Sequence, residues 1–185
     1  WDNLPMIKGS LSDGLLKALS TKPKVERKVE TTNTQAYEYY LKANYKYGKR
    51  ENMEDTEVAR GLLKKAIDLD DNLIVAKNKL GWIYHQTDDY DKAMKIHTSA
   101  LKQAKELGDR LGISASLNFI GAVYHNKGDL DTALDYYGRS LAISEELGDT
   151  SGIGESLGNI GVLYYWKGEQ DKALDIYTRI IKIFD

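Results

Sequence analysis

The sequence predicts an all-α superhelical solenoid of stacked helical hairpins. Three observations carry that prediction. Gly81, Tyr84 and Ala93 recur as Gly121, Tyr124 and Ala133, and again as Gly161, Tyr164 and Ala173, at a period of 40 residues. Leu80, Ile120 and Ile160 precede the glycines, while Leu101, Leu141 and Ile181 follow the alanines at one fixed distance. Gly108-Asp109 returns as Gly148-Asp149. A period of roughly 20–50 residues marks units that cannot bury their apolar face alone and stack on their neighbours.

Along the chain, residues 1-35 do not follow the repeat. Ser12-Asp13 is placed to cap a short helix carrying Leu15, Leu16, Ala18 and Leu19, which Lys22-Pro23 would stop, and residues 24–34 form a charged linker. Residues 36-71 read as a degenerate unit. Tyr40, Ala43, Asn44 and Tyr47 supply its first helix and Asp55, Ala59, Leu63 and Ala66 its second, with extra residues absorbed in the polar turn 48–52. Solenoids tolerate a lengthened surface turn, since loop closure costs little more as length grows.

Three full units occupy 72-185. In the central one, a first helix spans roughly 111–126, with Leu117, Ile120, Gly121 and Tyr124 on one face at helical steps. Lys127-Gly128 ends it, because glycine accepts the left-handed backbone of a common helix stop. Asp129 then offers a carboxylate to the free amides of the next helix, which carries Ala133, Leu134, Tyr137 and Leu141 inward and ends near Gly148. The third unit repeats the stop and cap as Gly168 and Glu169. The first uses Asp88 and Asp89, which places a non-glycine residue in the left-handed position at some cost. Mid-helix glycines at 81, 121 and 161 each cost about 1 kcal/mol relative to alanine. They predict close approach of another helix, with Ala93, Ala133 and Ala173 on the facing surface and Tyr84, Tyr124 and Tyr164 beside the contact.

Composition narrows the chemistry. With a formal net charge of -2 and a pI near 6.0, the chain has no global attraction for nucleic acid or anionic membrane. The absence of cysteine removes disulfides, thiolate metal sites and cysteine nucleophiles, and suits a reducing compartment. No apolar run approaches the roughly 18 residues of a membrane span. No phosphate loop, catalytic triad or metal-ligand spacing is present, so neither enzyme nor cofactor is expected. The basic run Lys22, Lys24, Arg27 and Lys28 is interrupted by Glu26 and Glu30 and reads as solvated linker.

Aliphatic-Gly-x-x-Tyr followed by Ala, then an aromatic position (His97, Tyr137, Tyr177) and a small one (Ala100, Ser140, Ile180), resembles the tetratricopeptide repeat. The large residue expected before the aliphatic is Leu117 and Leu157 but Lys77 in the first full unit. The closing proline is absent, and each unit exceeds the common repeat of about 34 residues. Helices joined through Leu-Gly-Asp look like the long-repeat subgroup found in signalling adaptors and regulators. The lead through Ala36-Tyr37-Glu38-Tyr39-Tyr40-Leu41 is similar to the junction between TolB-like domains and such repeats in bacterial signalling proteins. Class III nucleotide cyclases and DNA-binding regulators carry junctions of that kind, and none of the cyclase's catalytic residues falls in this segment. The resemblance implies a noncatalytic, cytoplasmic arm that recognises protein. The alternative is a regulatory or dimerisation arm of a multidomain enzyme such as a nucleotide cyclase.

In the repeats this chain resembles, the first helix of each unit lines a concave face. By position that lining is Tyr45, Asn78, Trp82, His85, Gln86, Asn118, Ala122, His125, Asn126, Val162, Tyr165 and Trp166. Asn78 and Asn118 lie one repeat apart and are expected to form a ladder toward a peptide main chain. Trp82, Tyr165 and Trp166 suit anchoring of apolar side chains. Some relatives grip a terminal carboxylate with cations on successive first helices. Leu41, Tyr45, Asn78, Trp82, Asn118, Ala122, Gly158 and Val162 fill those positions here, so a neutral or apolar segment is expected instead. His85 and His125 also recur one repeat apart, too far for one metal ion, and make a pH-sensitive groove plausible. Finally, Ile180 and Phe184 replace small residues of the interior units, and Ile183 lies beside them on the terminal second helix. They predict an end that either a following repeat or a second copy in a homodimer covers.

Overall fold

The computed structural model describes residues 33–184. Among these residues the chain forms eight helices: α1 Thr34–Gly48, α2 Met53–Leu69, α3 Ile74–His85, α4 Tyr90–Leu107, α5 Arg110–Asn126, α6 Leu130–Leu147, α7 Thr150–Trp166 and α8 Gln170–Phe184. Consecutive helices pack as hairpins, and each hairpin stacks on the next, giving the expected solenoid. The short helix and basic run expected within residues 12–28 lie outside the described residues.

Local chemistry sets each boundary. Asn33, Asn52, Asp89, Asp109 and Asp129 accept hydrogen bonds from the amides of Ala36, Asp55, Lys92, Gly112 and Thr132, which satisfies otherwise orphaned helix N–H groups. Helices α4 and α6 end on left-handed Gly108 and Gly148, at φ 69° and 65°. The tighter turns inside the hairpins place Gly128 and Gly168 at φ 83° and 77°, with Asp88 in the matching position at φ 60°. The aspartate therefore adopts the strained backbone that its alignment with the glycines predicts.

The mid-helix glycines permit close approach of the second helix, with the Ala133 backbone oxygen 3.3 Å from a Cβ on Gly121. The nearest neighbour of each is nonetheless an aromatic ring that the repeat spacing did not name. A Cβ on Gly121 would lie 2.8 Å from the Tyr137 ring, one on Gly161 would lie 2.7 Å from Tyr177, and one on Gly81 would lie 2.5 Å from His97. The second helix therefore drives an aromatic ring over each glycine. Ala93, Ala133 and Ala173 are buried beside that contact, where a small side chain lets the backbones close.

Leu63, Leu73, Ile83, Leu117, Leu157, Leu163 and Ile180 fill the spine between hairpins, each contributing about 1.5–3 kcal/mol by leaving water. Two polar features are built into this core. Ser114 of α5, Ser140 and Ser144 of α6 and Ser156 of α7 hydrogen-bond to one another at 2.7–3.1 Å, satisfying hydroxyls that would otherwise be costly to bury. Lys77, where later units carry leucine, runs its stem through the core and meets Asp71 at 2.7 Å.

The uncovered end expected from Ile180, Ile183 and Phe184 is not what the fold presents. Ile180 and Phe184 are buried and Ile183 half-buried, all packed around Leu157 with Leu141, Ile153 and Ile176.

Candidate functional site

The first helices define the inner side of the array. α3 touches α5 and α5 touches α7 directly, whereas the second helices lack comparable contacts with one another. Rods packed closer along one side curve toward it, so α3, α5 and α7 form the concave face. Between Lys79 and the end of α3, between Arg110 and the end of α5, and after Glu155 in α7, no Asp, Glu, Lys or Arg occurs.

The residues expected to line this face fall into two groups. Val162, Tyr165 and Trp166 form an open apolar patch on α7, with Tyr165 50% and Trp166 70% exposed. His125 meets Trp166 edge-on at 6.4 Å, tying the patch to α5. Trp82 is half-buried, and Gln86, Asn126 and, on α1, Tyr45 are exposed.

Asn78 and Asn118 differ from expectation. Both are buried, and they do not pair. Asn78 donates to Ser116 Oγ at 2.9 Å and accepts from His97 Nδ1 at 3.0 Å. Asn118 instead accepts from Asn159 Nδ2 at 3.0 Å. The ladder joins positions 41 residues apart because the helices cross at an angle that brings the next residue round into register. These carboxamides brace the floor of the groove.

His85 sits at the centre of the other group. Its ring stacks on Trp82 at 5.0 Å, Trp82 tilts onto Phe119 at 5.8 Å, and Phe119 stacks on His97 at 4.9 Å. The imidazole is buried, with Nε2 2.9 Å from Asn126 Nδ2 and 3.4 Å from the Ala122 carbonyl. Burial holds His85 and His125 below the usual imidazole range and pushes His97 down to about 3. All three are neutral at pH 7, so the concave strip carries no charge there.

Sequence reasoning missed Phe119, Asn159, Tyr90 and the Asn78–Ser116–His97 link. Phe119 and Asn159 do lie one repeat apart, next to the expected lining positions. That offset was the available signal. No group of three or more His, Cys, Asp or Glu among the described residues is arranged to hold a metal ion. No helix among them is long and apolar enough to cross a membrane.

Two family models described as tetratricopeptide repeat match this chain, at residues 78–111 and 112–185. No curated protein matches it. Among solved structures, the TPR domain of Arabidopsis FLU is 28% identical over 59% of this chain and 92% of its own, with a TM-score of 0.55. The N-terminal domain of stress-induced protein-1 from C. elegans is 22% identical over 60% of this chain and 88% of its own, at a TM-score of 0.51. A Rap protein complexed with Competence and Sporulation Factor is 19% identical, with a TM-score of 0.71. That likeness covers 96% of this chain but only 51% of the Rap protein, and it concerns the fold alone.

Proposed function

Because this chain belongs to the tetratricopeptide repeat family, whose domains are protein-interaction scaffolds, we propose that it binds an uncharged peptide or protein segment along its concave face. One observation carries this reading. The inner strip of α3, α5 and α7 joins exposed aromatic rings to hydrogen-bonding side chains without a single charged group among them. Aromatic anchors contribute much of the energy at recognition surfaces, and carboxamides satisfy a peptide backbone in either direction. An acidic tail would lose its hydration here and gain no cation. The reading is noncatalytic, and it places the chain as the sensory or assembly arm of a cytoplasmic bacterial signalling protein. The junction-like residues before Leu41 and the cysteine-free composition support that placement.

Selection of an unbiased peptide library on the immobilised chain tests the groove. Enrichment of uncharged, apolar-containing peptides is expected, with capture falling about tenfold or more in Trp166→Ala, as hot-spot truncations do. Enrichment of charged tails, or undiminished capture by both Trp166→Ala and Trp82→Ala, would refute binding on this face.

A further inference from the structure

The network around His85 has a direction. Tyr90 donates its hydroxyl proton to Asp88 Oδ1 at 2.7 Å, and its ring meets the His85 ring edge-on at 5.6 Å. Asn126 Nδ2 also lies 2.9 Å from His85 Nε2. An amide nitrogen only donates, so Nε2 accepts and the imidazole proton sits on Nδ1, which is buried and has no partner. With its NH2 turned to His85, the exposed Asn126 carboxamide carries its oxygen on the side away from that ring.

Resting on the groove reading above, we propose that His85 is a positioning residue whose protonation reverses the group that Asn126 offers a ligand. A proton added to Nε2 removes its lone pair and turns it into a donor. It then faces the Ala122 carbonyl at 3.4 Å productively and Asn126 Nδ2 unfavourably. Rotation of the carboxamide brings Oδ1 to the imidazolium and sends the NH2 outward. The groove exchanges an acceptor for a donor at one site, one repeat from the aromatic patch on α7.

The groups facing His85 set where this happens. Asp88, from the turn, favours the proton; His125, from α5, opposes it; and Tyr90 and His97, from α4, are uncharged near neutrality. Arg60 of α2 reaches Thr87 beside this turn. Desolvation outweighs the rest, so the change lies below pH 6.5.

Imidazole and side-chain amide NMR of the full chain tests this with no partner present. His85 should show the Nδ1–H tautomer at pH 7.5. Its titration midpoint should fall below 6.5, and the Asn126 amide signals should move with that same midpoint. Asn126→Ala should lower the midpoint by about half a pH unit or more, because the charge-assisted bond from the imidazolium to the rotated carboxamide is stronger than the bond to the neutral ring that it replaces. His85→Gln should abolish the response of Asn126. An Nε2–H tautomer at neutral pH, or Asn126 signals indifferent to His85, would overturn the proposal. Loss of peptide capture alone would leave it standing and bear on the groove instead.

Discussion

At residue scale, glycine at 121 serves packing against its own helical preference. Gly121→Ala should gain roughly 1 kcal/mol of helix propensity. It must also displace the buried Tyr137 ring from 2.8 Å, an overpacking cost of about 1–3 kcal/mol. Net destabilisation is expected from urea unfolding. Gly138→Ala on α6 is the control, since nothing lies within 4 Å of its Cβ position, and it should stabilise by about 0.5–1 kcal/mol. Equal effects of the two variants would show that the ring contact does not matter. The 40-residue recurrence made these glycines legible as contact points and put the alanines on the facing helix, yet it did not show that an aromatic ring takes the nearest space. Spacing shows that space is needed and cannot show which of two nearby side chains enters it. Asn78 illustrates the same limit. A carboxamide reads as a groove residue until His97 and Ser116 are found to consume its hydrogen bonds.

Among elements, the hairpin turns test the backbone argument. Asp88 holds a left-handed φ of 60°, which costs an ordinary residue about 1–2 kcal/mol. Asp88→Gly relieves that strain while losing an exposed hydrogen bond from Tyr90, so stability should stay level or rise by up to about 1 kcal/mol. Gly128→Ala imposes the strain where it is now absent, and should lower stability by about 1–2 kcal/mol although its Cβ position is open. Thermal unfolding of both variants checks the pair, and a stabilising Gly128→Ala would contradict it. These turns were readable because cap and stop chemistry is local: Asp129, Gly128 and Gly148 act within a few residues of themselves. Crossing angles are not local. They moved the carboxamide ladder from Asn78–Asn118 to Asn118–Asn159.

For the whole molecule, hairpins touch only their neighbours, so stability should behave as a one-dimensional sum. Leu157→Ala opens a cavity beneath Ile180 and Phe184 and should cost about 2–5 kcal/mol locally. Hydrogen exchange should quicken in α7 and α8 while α1 and α2 keep their protection. Uniform acceleration along the chain would instead indicate a single cooperative core. The sequence by itself determined the repeat, its two helices, its caps and stops, and the uncharged character of the inner face, because each depends on residue identity at short range or at a fixed period. Tertiary structure alone decided which side chains meet. It brought His97 over Gly81, gave Asn126 to His85, buried Ile180 and Phe184, and left Tyr165 and Trp166 open. The physical reason is that contacts between units depend on the angle and offset of packed helices, which a periodic pattern leaves free.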